Sequence, residues 1–309
     1  MPSTLATHPF ALALLLLLGS TAALPATRAR AYCRADVETM ANGECMESPG
    51  VPRLHWTRSC STYAFTAQLF ERISLLDESQ VRASFDDSFG SWAAVGCDRE
   101  PFLTQQAEAL SEDEGAAFEW DIVNTSTIAA HGAEGWAEQE YASEVVALTT
   151  IFHDPDTGEI FDVDMELNGG AGAFTNCAGR CEFGRIDLRN TITHEAGHYL
   201  GLGHSPVPGA TMAKYAFDGR EIEKATLEED DRAGYCALEL PPHECSAGGC
   251  SCPTAPIYPS GKKARESSDC ATSAPHGREG TLAWSALIAG GMLAWRQRWR
   301  RPRDSRQLR

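Results

Sequence analysis

The chain has 309 residues, 43% of them hydrophobic, with 26 basic and 43 acidic side chains and a net charge of −17. Enough apolar surface is present to bury a core, which excludes wholesale disorder. The surplus of carboxylates excludes a phosphate-binding nucleic-acid surface, because such a surface needs clustered cations.

In chain order, Phe10 to Leu18 form an apolar run that ends in small residues and Ala29-Arg30-Ala31. This is the layout of a cleaved secretory signal over 1–31. Eleven cysteines fit the same exported, oxidising setting, and an odd count leaves at least one unpaired. Residues 32–240 are expected to form a single domain. Tyr63, Phe65, Ala67 and Leu69 alternate like a strand, whereas Val81, Phe85, Phe89, Trp92 and Val95 recur every three or four residues. The second pattern predicts an amphipathic helix starting after Asp77. Alternation resumes at Phe118, Trp120 and Ile122, then at Val145, Ala147, Thr149 and Ile151. The turn from Asp154 to Gly158 leads into Phe161, Val163, Met165 and Leu167 on one face.

Asp154, Asp156, Asp162 and Asp164 have oxygens at spacings that could hold calcium, and an acidic hairpin turn accounts for the same residues. His131 and His153 are read as structural or exposed histidines rather than as metal ligands. Plausible disulfides are Cys33–Cys45, Cys60–Cys97 and Cys177–Cys181; sequence alone does not fix their pairing.

The chemistry is concentrated in Thr193-His194-Glu195-Ala196-Gly197-His198-Tyr199-Leu200-Gly201-Leu202-Gly203-His204-Ser205. On a helix, His194 and His198 lie one turn apart on the same face and reach one metal ion. Gly201, free to adopt positive φ, ends the helix and swings the chain back so that His204 approaches the same ion. Three neutral imidazoles suit Zn²⁺ and leave a fourth tetrahedral position for water, as in catalytic rather than closed sites. Glu195 adjoins the first ligand without being one, which is the place of a general base that also returns the proton to a leaving amine.

This segment matches the pattern H-E-x-x-H-x-x-G-x-x-H at every fixed position and so resembles the metzincin zinc endopeptidases. Ser205 after the third His is similar to the residue that marks the matrixin branch, and Gly209-Ala210-Thr211-Met212 resembles the Met-turn beneath the zinc. Asp187 to Thr191 leads into the metal helix. Leu227 to Gly234 looks like the closing helix of bacterial matrixin-like proteases, with Thr226 and Glu229 as its capping box. The resemblance implies an α+β catalytic domain, a twisted mixed β-sheet with flanking helices and an active-site helix. It also implies structural Ca²⁺ and a specificity pocket walled in part by Tyr215. No Pro-Arg-Cys-Gly propeptide switch precedes the domain, which puts latency by that mechanism in doubt.

After Pro241-Pro242 the composition turns to Cys, Gly, Ser and Pro, and 241–280 reads as a stalk. Gly280 to Trp295 is uncharged and is followed by seven arginines; sixteen residues at ~1.5 Å each fall short of the ~30 Å hydrocarbon core. With Cys250 and Cys252 upstream, the tail 281–309 resembles the myxobacterial C-terminal sorting signal of the MYXO-CTERM type, which implies processing at one of those cysteines and surface attachment. An ordinary membrane anchor is the alternative. Without both ends, residues 32–280 carry 17 basic and 42 acidic groups, a strongly acidic exported body.

The resulting expectation is a monomeric, exported zinc endopeptidase, secreted or attached to the membrane through its tail, acting on protein or peptide substrates in extended conformation, with a sheet edge pairing the substrate backbone. The rivals are a catalytically silent metal-binding adhesion protein, which has no need of Glu195, and a zinc hydrolase of non-peptide amides.

Overall fold

Tyr63 and Phe65, Val145 to Ile151, and Phe161 to Leu167 do lie in strands, and the periodic segment after Asp77 forms a helix. The computed structural model describes residues 32–37, 50–99, 101–106, 125–215 and 220–241, together with the backbone of a strand over 265–273. The expected signal, Phe118 to Ile122, Cys45, Cys250, Cys252 and the tail 281–309 lie outside the described residues.

In order, the strands are β1 (His55–Trp56), β2 (Cys60–Phe65), β3 (Leu103–Gln106), β4 (Thr125–His131), β5 (Val145–His153), β6 (Glu159–Asn168), β7 (Ala173–Thr175), β8 (Arg185–Asp187) and β9 (Arg265–Ser273). The helices are α1 (Ala67–Arg72), α2 (Glu78–Ala93), α3 (Ala133–Glu138), α4 (Leu188–Tyr199) and α5 (Glu229–Cys236). The main sheet runs β3-β2-β4-β6-β5-β9, with β1 pairing β6 as well, while β7 and β8 form a small parallel pair. β2, β3, β4 and β6 are mutually parallel, and β5 runs antiparallel to β6. This is the expected α+β architecture, a mixed sheet with helices.

Central parallel strands are buried on both faces, and β6 shows what that demands of polar residues. Val163, Met165 and Leu167 are fully buried on one face, but so are Asp162, Asp164 and Glu166 between them. These carboxylates are satisfied internally. Asp164 accepts the Thr127 N–H at 2.9 Å, and Glu166 accepts from the Tyr141 hydroxyl at 3.0 Å and meets His131 Nε2 at 2.8 Å.

α2 starts where the periodicity places it. Asp77 caps it by accepting the Gln80 N–H at 2.9 Å, and Val81, Phe85, Phe89 and Trp92 line its buried face. Phe85 and Phe89 meet Tyr63 and Phe65 of β2 in an aromatic cluster, each member contributing on the order of 2–3 kcal/mol by burial.

Four expectations need correction. The strand that alternation carried to Leu69 stops at Phe65. Thr66 N–H makes the last ladder contact, to Ile128 O, and Leu69 reaches the core from a helical turn instead. The last helix starts at Glu229 with Glu228 as its N-cap, so Thr226 and Glu229 do not form the box. Asp231 takes that part by accepting the Glu228 N–H at 2.9 Å. Cys97 pairs with Cys236 rather than Cys60, because α2 and α5 come together through Trp92 and Tyr235; Cys177–Cys181 forms as expected. Finally, the expected stalk contains a strand. β9 pairs antiparallel along β5, whose outer edge would otherwise offer a row of unpaired backbone groups.

Candidate metal centre

α4 is built to be held rigidly. Asp187 caps its N-terminus, one carboxylate oxygen accepting the Asn190 N–H at 2.7 Å and the other the Cys177 N–H at 2.7 Å. Trp92 Nε1 donates to Thr193 O and Trp56 Nε1 to Tyr199 O, both at 2.9 Å, while the Tyr199 hydroxyl meets Ser61 and Ser126 on two strands, each at 2.8 Å. Gly201 has φ of 104°, a conformation that a side chain disfavours. Its N–H closes on His198 O and that of Leu202 on Gly197 O, and the chain then turns back toward the helix as the sequence predicts.

That reversal gathers His194, His198 and His204 into one buried group whose ligand atoms all lie within 4.8 Å of one another. His194 Nε2 and His198 Nε2 are 3.1 Å apart. A tetrahedral ion with Zn–N distances of 2.0–2.1 Å needs its nitrogens about 3.3 Å apart, so the donor set fits zinc. Each helical imidazole is oriented from behind: His194 Nδ1 bonds Thr211 O at 2.5 Å and His198 Nδ1 bonds Leu202 O at 2.7 Å. Donation through Nδ1–H leaves the Nε2 lone pair for a metal. Burial above all, then the charges of Lys224 and the neighbouring histidines, holds His194 well below the usual imidazole range. Burial, against the pull of the Leu202 carbonyl, brings His198 down to about 3. Both are therefore neutral at pH 7, the form that binds a metal.

Glu195 is fully buried, and its Oε2 accepts a hydrogen bond from Thr149 Oγ1 of β5 at 2.7 Å. The base candidate is thus anchored to the strand that flanks the helix. Met212 packs against α4 at Gly197: a Cβ there would sit 2.2 Å from its Sδ, so glycine at that position is what lets the Met-containing turn approach the helix. The turn is held in place by Asp231, whose carboxylate accepts the N–H groups of Thr211 at 2.7 Å, Met212 at 2.9 Å and Glu228 at 2.9 Å. Ser205 Oγ donates to Asp230 Oδ2 and accepts the Val207 N–H, so it ties the end of the motif to α5.

Lys224 is buried, donates to Ala213 O, and feels the charges of Glu221, Glu195 and Asp231; burial dominates and brings it down to about 8. Its usual value is 10.5, so between pH 8 and 10.5 the unfolded chain holds more protons than the folded one, and folding stability rises with pH there. The melting temperature of the wild type minus that of Lys224→Met is expected to climb by a few degrees between pH 8 and 10, as read by thermal melts at equal zinc loading. A flat difference would show that Lys224 is not an ammonium desolvated in the fold.

The other expected site residues fall elsewhere. Asp154 accepts the N–H groups of Asp156 and Thr157 in a turn, and Asp162 and Asp164 sit on β6. The four carboxylates do not gather into one group among the described residues. Tyr215 is 64% exposed, with the Lys214 ammonium 5.5 Å from its ring centroid. His131 faces Glu166 and His153 contacts Ile151 O, apart from each other. Cys177, Cys181 and Asp187 also lie close together, but the disulfide uses both sulfurs. Thr149, Thr211, Lys224 and Asp231 were not singled out by sequence, because no local pattern marks a residue that acts across the fold.

A mixed sheet with an antiparallel strand beside a buried helix, and a three-histidine group at that helix's end, defines the metzincin-like class. Within it the chain belongs to the matrixin family, whose model matches residues 55–238. It is similar to Metalloendoproteinase 1-MMP of Arabidopsis thaliana, at 27% identity over 192 residues, which is 60% of this chain and 44% of that protein. Metalloendoproteinase 4-MMP of the same plant is 28% identical over 193 residues, 62% of this chain and 48% of that protein. The chain thus spans about half the length of the curated relatives it matches.

Proposed function

We propose that the protein is an exported zinc-dependent endopeptidase that hydrolyses peptide bonds in extended segments. The observation that carries this reading is the convergence of the three imidazoles beside a buried carboxylate hydrogen-bonded to a strand. His194, His198 and His204 would hold the zinc through Nε2. Bound zinc supplies Lewis acidity, which polarises a carbonyl and acidifies water.

The rest falls to the chain's own groups. Glu195 takes the proton of the attacking water on its carboxylate and delivers it to the departing amine nitrogen. Thr149 holds that carboxylate in one rotamer by donating to Oε2. Thr211 O and Leu202 O keep the first two imidazoles aimed as the proton moves. Backbone groups of β5 pair with the substrate main chain and lay it across the cleft, and Tyr215 contributes to the wall of the side-chain pocket. Glu195 has no use in a silent metal-binding protein, which favours the hydrolytic reading. Its relatives' names supply the peptide-bond preference.

The same reading assigns 1–31 to export and Cys250 or Cys252 to processing of a surface-sorting tail. The test is a peptide-library digest with the purified full chain. Cleavage is expected to vanish with a chelator and to return with about one zinc per chain. Cleavage indifferent to the chelator, or hydrolysis confined to non-peptide amides, would refute the reading.

A further inference from the structure

β5 is the strand that anchors Glu195, and in the order β3-β2-β4-β6-β5 it would be the sheet's edge. It is not left open. Seven cross-strand pairs, from Val145↔Ser273 to His153↔Arg265, join it to β9. Val146 to His153 are all buried in this arrangement, as is uncommon for an edge strand. The register sets Cys270 opposite Thr149, whose hydroxyl bonds Glu195, so β9 runs past the level of the proposed base.

An edge strand has only one outer row of N–H and C=O groups, and it can pair with one extended segment at a time. We propose that residues 265–273 are a resident inhibitory strand, holding the same edge of β5 that an extended substrate must use. This rests on the endopeptidase reading and adds its regulation. The occupant is a late segment of the chain itself, tethered to the end of the described domain at Pro241 by residues 242–264 until the processing proposed at Cys250 or Cys252 cuts that tether. That is 23 residues of chain, with a contour of up to about 80 Å. Because strand and domain belong to one chain, the segment pairs intramolecularly and a free peptide competes poorly until that segment is displaced or removed.

The ladder is irregular next to Thr149: Thr149 pairs with Cys270 and Ile151 with Ser267, so Ser268 and Asp269 together oppose Thr150 alone. A bulge bends the strand and breaks its even pairing. It lies next to Thr149, whose hydroxyl bonds Glu195, so β9 occupies the edge there without presenting a regular extended segment.

The test uses the full chain carrying Ala271→Pro and Thr272→Pro. Proline removes the backbone donor, and two adjacent prolines strike the ladder whichever N–H faces β5. Ser260→Pro with Gly261→Pro serves as the upstream control. The strand-broken variant is expected to cleave a fluorogenic peptide with kcat/KM at least ~10-fold above wild type, mainly through KM. The control should match wild type, and a synthetic peptide of sequence 265–273 should inhibit the variant competitively.

Hydrogen exchange gives a readout independent of cleavage. Amides of 265–273 and of β5 should be protected in wild type and lose protection in the variant, with α4 unchanged as the check on folding. Equal kcat/KM in wild type and variant, with both silenced by Glu195→Gln, would overturn the inhibitory strand and leave the protease reading intact. Unprotected 265–273 amides in wild type would also overturn it. Zinc-loaded protein that cleaves no peptide in any form would refute the protease reading itself, and the proposal with it.

Discussion

Glu195→Gln is expected to lower kcat/KM about 10²- to 10⁴-fold, the range for loss of a positioned general base, while zinc stays at one per chain. The carboxamide is isosteric, and its oxygen still accepts from Thr149 Oγ1, so the geometry at 2.7 Å is retained and only the proton acceptor is lost. The three imidazoles are untouched, because Glu195 is not among the gathered ligand atoms. Metal analysis alongside peptide kinetics therefore separates the two roles. A variant that loses zinc would make Glu195 part of the metal's support. One that keeps its rate would remove it from the chemistry.

Asp231→Ala is expected to cost about 3–5 kcal/mol of folding stability, because it leaves a buried charged hydrogen-bond network without its acceptor. Three backbone donors, those of Thr211, Met212 and Glu228, converge on this one carboxylate, which is 1% exposed. Water cannot replace the lost oxygens without opening the turn. Thr211 is also the residue whose carbonyl orients His194, so zinc affinity should fall as well, by about 10- to 100-fold for loss of an outer support. Denaturant melts and competition with a chelator measure the two effects. A loss under 1 kcal/mol with unchanged affinity would show that the Met-turn does not depend on Asp231.

Much of this was legible in the residue order where the deciding interactions are local. The helix after Asp77 needed only a cap and a 3.6-residue period, and both are contained in adjacent turns. The same holds for His194 and His198 on one helix face and for the reversal at Gly201, where a single φ decides the path. Alternation misled at Ala67 and Leu69. A period of two over a few residues does not reveal where a strand stops pairing, and here Ile128, from a distant strand, settles that. The acidic residues of β6 were equally ambiguous in sequence, since spacing says nothing about whether a carboxylate faces a cation, water or a backbone N–H; for Asp164 it is the N–H of Thr127.

The residue order by itself thus determined the three-histidine group, its neighbouring carboxylate and the turn that joins them, since all lie within thirteen consecutive residues and obey short-range geometry. Only the tertiary structure decided what surrounds them: Thr149 on Glu195, Asp231 beneath the Met-turn, Cys236 on Cys97, and a late strand along β5. Those contacts join segments tens to more than a hundred residues apart. Their partners are selected by packing and by the need to satisfy buried polar groups, a condition that exists only once the chain has folded.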